Sequence, residues 1–199
     1  VIGSSKGENK IIGNLGTKGE GKTTLLKLLL CREILRGKRV KVFFPFDYIY
    51  SEYNYYKEIS ENFEDDIDVL GQLIKRDVKE GVVDIIAIDE LDMIKFDRNM
   101  DFLFRFSRNY NVDILYTAKR TANISKLVVS QTDELNLFKH RELNDLKRIK
   151  EINSEAEKIV RKLNKFEFLK VKDFNLDGIY RIEVNFENLE DCLKKYFEG

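Results

Sequence analysis

The stretch Gly16-Thr17-Lys18-Gly19-Glu20-Gly21-Lys22-Thr23 decides how the rest of the chain is read. It fits the pattern G-x-x-x-x-G-K-[ST] at every fixed position. Its setting fits as well. Lys10 to Asn14 (KIIGN) reads as a short strand, and Lys22 to Arg36 carries Leu25, Leu28, Leu29 and Ile34 at helical spacing, with Gly37 as a stop. Glycines let successive backbone N–H groups turn inward, and the first turn of the following helix adds its partial positive charge. A loop of this composition between strand and helix is suited to wrapping phosphate. The expected nucleotide contacts are Gly16, Thr17, Lys18, Gly19, Glu20, Gly21, Lys22, Thr23 and Thr24. Lys22 is expected to reach the β- and γ-phosphates of ATP, and Thr23 to place its hydroxyl on Mg²⁺.

Moving outward, Val82 to Ile88 (VVDIIAI) is the most strand-like run in the chain. It is β-branched and nearly continuous, as a strand buried on both faces of a parallel sheet would be. It delivers Asp89 and Glu90 at its carboxyl end, the edge where such sheets bind ligands. There Asp89 suits Mg²⁺, and Glu90 suits orienting and polarising the water that attacks the γ-phosphate. Asp92 close by also allows a plain acidic turn. A further strand, Val112 to Thr117, ends at Thr117-Ala118-Lys119-Arg120. Thr117, Lys119 and Arg120 are candidates to sense the γ-phosphate, Lys119 and Arg120 being counted with Lys22 and Glu90 as catalytic.

Between and after these runs, strands alternate with helices. Val40 to Phe46 and Glu134 to Phe138 read as strands; Phe63 to Lys79, Phe96 to Tyr110 and Ile124 to Ser130 read as helices. Arg141 to Leu163 reads as one long charged helix, and Phe166 to Val171 with Ile179 to Phe186 as an antiparallel pair turning at Asp177-Gly178. The alternation predicts a three-layer α/β fold with a mostly parallel central sheet and right-handed crossovers. One domain is expected over 1–199, with a nucleotide-binding core at 10–150 and a helix and hairpin extension at 151–199.

Composition sets bounds. The 199 residues are 43% hydrophobic and 35% charged, with 35 basic and 35 acidic residues. A globular protein is implied, and a purely electrostatic DNA binder is disfavoured. No stretch reaches the roughly 18 apolar residues of a membrane span. The two cysteines, Cys31 and Cys192, have no metal-ligand spacing, so core packing and a reducing, cytoplasmic setting are expected. His140, the single histidine, reads as structural, and the tyrosine cluster Tyr48 to Tyr56 as loop packing.

Beyond the two nucleotide motifs, Leu115 to Ile124 (LYTAKRTANI) resembles the segment of FtsK–HerA superfamily ATPases that usually reads T-Q-R-P before a short helix. Ser130-Gln131-Thr132-Asp133, Leu137-Phe138-Lys139-His140-Arg141 and Asn144-Asp145-Leu146 are similar to the following Q-x-D, F-R and D-L stretch. Lys119 stands where the glutamine is usual, and Thr121 where the proline is. The likeness spans about residues 10 to 150. It implies a P-loop NTPase fold of the ASCE/RecA-like type and a ring-forming motor, a pentamer or hexamer, that hydrolyses ATP and translocates double-stranded DNA. The chain length resembles that of the small viral and phage genome-packaging branch, for which a portal or capsid protein is the implied partner. It further implies an arginine acting across a subunit boundary, for which Arg105, Arg108, Arg120 and Arg141 are candidates.

Two other readings share the nucleotide motifs. An AAA-type helicase loader or remodelling ATPase would carry an arginine in a helical lid, where this tail reads as a hairpin. A nucleotide-gated switch or morphogenesis protein would couple slow hydrolysis to a protein or membrane partner. The missing extra lysine at Thr17 disfavours partition ATPases, and no LSGGQ-like run precedes Val82.

Overall fold

A computed structural model describes residues 9–43, 63–94, 96 and 98–198. The tyrosine cluster Tyr48 to Tyr56 and the end of the expected strand at Val40 to Phe46 lie outside the described residues. Seven strands form one sheet: β1 (Ile11–Leu15), β2 (Val40–Phe43), β3 (Ile85–Ile88), β4 (Asp113–Ala118), β5 (Glu134–Leu137), β6 (Glu167–Lys172) and β7 (Asn175–Arg181). Their order is β2-β3-β4-β1-β5-β6-β7. The first five are parallel, and β6 and β7 continue the sheet antiparallel beside β5. The expected mixed, mostly parallel α/β fold is the one observed.

The helices are α1 (Lys22–Ile34), α2 (Phe63–Glu80), α3 (Arg98–Phe106), α4 (Lys126–Gln131), α5 (Leu143–Ile152), α6 (Ala156–Val160) and α7 (Phe186–Glu198). Strand alternation sends side chains to two faces. Ile85 and Ala87 join Leu26 and Leu30 of α1 with Leu189, Leu193 and Phe197 of α7. Ile86 and Ile88 join Val78 of α2, Leu103 and Phe104 of α3, and Leu146 and Ile149 of α5. Three layers result, with α1 and α7 on one side and the remaining helices on the other. Among the described residues, no helix is long and apolar enough to cross a membrane.

Four expectations are corrected. The long helix at Arg141 to Leu163 is two helices, because Asn153 Oδ1 accepts the amides of Glu155 (3.0 Å) and Ala156 (3.1 Å) and restarts the chain. The hairpin turns at Asp173-Phe174, whose φ angles of 47° and 64° match the right-handed twist of the strands. Asp177 instead bulges out of β7, where the register shifts between Lys170–Gly178 and Val171–Leu176. The tail also holds α7, a helix the hairpin reading passed over, whose Leu189, Leu193 and Phe197 recur every four residues. Finally, Cys31 and Cys192 are joined in a disulfide: packing of α7 on α1 brings their Cα atoms to 6.2 Å. The expectation of a reducing compartment rested on unpaired cysteines and loses that ground.

Candidate functional site

The loop between β1 and α1 lies at the carboxyl edge of the sheet, where β1 separates β4 from β5. Three backbone bonds fix it. Gly16 N donates to Ala118 O (3.1 Å), Thr17 N to Lys139 O (3.0 Å), and Phe166 N to Glu20 O (3.1 Å). Gly21 adopts φ +113°, a left-handed conformation that glycine accepts without strain. At Gly16 the need is space: a Cβ there would sit 2.6 Å from Phe138 Cβ.

Lys22 is buried, and its Nζ donates to Thr17 O at 2.8 Å. Burial lowers its pKa, opposed by the charge of Asp89. Thr23 Oγ1 stands 3.2 Å from both carboxylate oxygens of Asp89. The Asp89 carboxyl is pushed up by burial and pulled back by hydrogen bonds from Thr117 and Thr23. The pairing of one hydroxyl with one carboxylate is a hard, all-oxygen donor set, which fits Mg²⁺.

Glu90 follows in a left-handed backbone conformation, φ 57° and ψ 48°. Such a conformation costs a non-glycine residue on the order of 1 kcal/mol. Two contacts hold it. Its amide donates to Thr117 Oγ1 at 2.9 Å, while the Thr117 hydroxyl donates to Asp89. Its carboxylate pairs with Lys119 Nζ at 2.5 Å. One threonine at the tip of β4 thus fixes both acidic residues at the tip of β3. The next turn is tied by Asp92, whose two oxygens accept the amides of Lys119 and Arg120 at 3.0 Å each.

A cavity of about 360 Å³ is lined by Lys18, Gly19, Gly21, Lys22, Thr23, Thr24, Glu90, Thr117 and Lys119, and also by Lys165, Phe166 and Phe186. The structure therefore brings most of the expected site residues around one space. Arg120 is not brought there; its Nε donates to Asp145 Oδ2 at 3.0 Å, and Asp145 also accepts the Ala122 amide at 2.9 Å. The Glu20 side chain is buried, 3.7 Å from Arg141, and Glu20 is not among the described residues lining the cavity. Arg105 pairs with Asp101 along its helix at 2.8 Å, and Arg108 pairs with Asp133.

His140 is 1% exposed, with Nδ1 2.7 Å from Phe138 O and Nε2 2.8 Å from Thr121 Oγ1. A carbonyl can only accept, so Nδ1 carries the proton and Nε2 accepts from the threonine. Burial lowers its pKa to about 4, and the ring is a neutral strut under the loop after β5.

Sequence reasoning did not find Asp92's clamp, Lys165, Phe166 or Phe186. The first was visible as an acidic turn without a partner. Lys165 and Phe166 come to the site because the hairpin docks beside β5, and Phe186 because α7 packs on α1, placements that no local pattern announces.

No protein-family model matches the chain, and no curated protein sequence matches it. Solved structures do. The genome-packaging NTPase B204 of Sulfolobus turreted icosahedral virus 2, in complex with AMPPCP, superposes with a TM-score of 0.73 at 21% identity, covering 89% of this chain and all of that one. The pCW3 conjugation coupling protein TcpA, with ATPγS, gives a TM-score of 0.68 at 13% identity over 95% of this chain and 65% of that one. EssC (ATPases 2 and 3) from Geobacillus thermodenitrificans gives 0.64 at 16% identity over 96% and 45%. With this sheet order, loop and acidic strand tip, the chain has the fold of the P-loop NTPases, in the form seen in the small viral packaging NTPase B204 and in TcpA and EssC.

Proposed function

We propose that this chain hydrolyses ATP and uses the energy to translocate double-stranded DNA, as a viral or phage genome-packaging motor. The observation that carries the reading is the shared cavity wall: Lys22 and Thr23 from the loop, and Glu90 with Lys119 from the neighbouring strand tips. Its fold likeness to a genome-packaging NTPase and to a conjugation coupling protein supports the DNA part.

In this reading the loop amides and Lys22 hold the triphosphate, and Lys22 exchanges the Thr17 carbonyl for phosphate oxygens. Thr23 and Asp89 would hold Mg²⁺, which supplies charge neutralisation at the β- and γ-phosphates. Glu90 takes a proton from water as the water oxygen bonds to the γ-phosphorus and the bond to the bridging oxygen breaks, giving ADP and phosphate. Lys119 pairs with Glu90, and a γ-phosphate in the cavity competes for the same ammonium. Occupancy of the γ-position thereby frees the glutamate for its water. Arg141, exposed and with a single distant partner among the described residues, Glu20, is the candidate to complete a neighbouring subunit's site in a homo-oligomeric ring.

Steady-state ATP turnover with and without double-stranded DNA, over a series of salt concentrations, tests this reading. A motor gripping phosphates shows stimulation that fades as salt rises. Turnover indifferent to DNA at every salt concentration would remove the translocation reading and leave a nucleotide-gated switch.

A further inference from the structure

The wall of the nucleotide cavity changes chemistry from one end to the other. Glu90, Thr117 and Lys119 stand at the tips of β3 and β4, while Phe166 and Phe186 stand at the opposite end, with Lys165. Sheet order gives this polarity a length. Phe166 immediately precedes β6, two strands beyond β1, on the side away from β3 and β4. At about 4.8 Å per strand, β6 lies roughly 10 Å across the sheet from β1, and Phe166 at its start reaches back to the loop through the bond from its amide to Glu20 O. The first residues of β6 lie at the same edge as that loop, since Leu169 pairs with Leu137 at the end of β5. A nucleotide whose terminal phosphate faces Glu90 has its base pointing toward this aromatic wall.

We infer that Phe166 and Phe186 form the nucleobase subsite, and that it takes adenine and guanine alike by stacking. This rests on the reading of the cavity as a nucleoside triphosphate site.

Phe166 is held for such a task. Its backbone is left-handed, with φ 65°, and is fixed by the bond from its amide to Glu20 O and by Ile182 N donating to its carbonyl at 2.9 Å. Its ring lies directly on the loop: a Cβ on Gly21 would fall 2.7 Å from Phe166 Cδ1. The Lys165 ammonium stands 5.2 Å from the ring centre. Phe186, the first residue of α7, is 52% exposed, whereas Leu189, Leu193 and Phe197 of the same helix are buried. The helix behind it is anchored to α1 by the disulfide and by Lys27–Glu190 at 3.1 Å. An exposed ring on an anchored helix is a platform whose position does not have to be found on binding.

Selectivity follows from what surrounds the rings. Of the three residues placed at this end, Phe166, Phe186 and Lys165, only Lys165 has a polar side chain, and an ammonium only donates. Telling the adenine 6-amino group from the guanine 6-oxo group needs a directed acceptor or donor against the base edge. Stacking on a ring face is tolerant of base identity.

Calorimetric titration of the full chain with ADP, GDP and inorganic pyrophosphate, each with Mg²⁺, tests the subsite without turnover. In the parent protein ADP and GDP are expected to bind within about threefold of one another. Phe186→Ala is expected to weaken both nucleotides by about tenfold, the scale of one base–aromatic stack, and to leave pyrophosphate within twofold. Phe186→Tyr should restore nucleotide binding. Unchanged ADP affinity in Phe186→Ala, or an equal loss of pyrophosphate, would overturn the subsite, and GDP binding far weaker than ADP would overturn its tolerance. A parent protein that binds none of the three sinks the nucleotide site itself, which is a different result.

Discussion

Thr117 accepts the Glu90 amide and donates its proton to Asp89, so one buried hydroxyl sets the relation between the two acidic residues. Thr117→Val keeps the shape and removes both bonds. Turnover is expected to fall about tenfold or more, with nucleotide affinity little changed, and Thr117→Ser to restore it, since a buried polar group left unpaired costs roughly 1–3 kcal/mol. Equal loss in the valine and serine variants would mean that packing, and not the hydroxyl, matters. His140 gives a pH dependence. Its pKa is about 4 in the fold against 6.5 when unfolded. Below 6.5 the unfolded chain takes the proton and the fold does not. Its contribution is therefore complete above pH 6.5 and lost as the pH falls toward 4, on the order of 3 kcal/mol. Urea midpoints at pH 7 and pH 4.5 should drop less in His140→Gln than in the parent; parallel drops would show that His140 is not the group responsible. Asp89 and Glu90 were legible in the sequence because a strand end announces itself by a break in β-branched residues. The Thr117 bonds were not, since they depend on which strand lies beside β3.

At the scale of elements, β1, α1 and β3 to β5 were readable because each is a local apolar run closed by a glycine, a charge or a turn. The tail was not. Asp177-Gly178 has the composition of a turn, but Asp173-Phe174 takes the left-handed pair of conformations, and Asp177 is absorbed as a bulge whose carboxylate accepts from Tyr180 Oη at 2.8 Å. In α7 the apolar spacing was present, yet its significance depends on α1 offering a face to cover. The Cys31–Cys192 bond closes that contact over a sequence separation of 161. Cross-links over long loops stabilise by about 2–5 kcal/mol. Cys192→Ser, or the parent under reductant, is expected to lose roughly 5–15 °C of melting temperature. An unchanged melting temperature would mean that the hydrophobic contact alone holds α7.

For the whole molecule, the sheet order places the phosphate loop between the acidic strand tips and the returning hairpin. In the proposed reading nucleotide chemistry would occur on one side of β1, while the C-terminal segment is tied to the loop from the other through Phe166 N and Glu20 O. A change at the γ-position would then be connected, through α1 and the hairpin, to the outer strands of the sheet. A balance of 35 basic and 35 acidic residues puts any grip on DNA in a local patch and not in the field of the whole protein. The central claim concerns Glu90, and the most direct measurement is phosphate release by Glu90→Gln beside ATP binding by the same variant. Loss of a positioned general base costs about 10²–10⁴ in rate, so the account predicts ATP bound with parent-like affinity and turnover reduced by at least a hundredfold. Hydrolysis at the parent rate would contradict it.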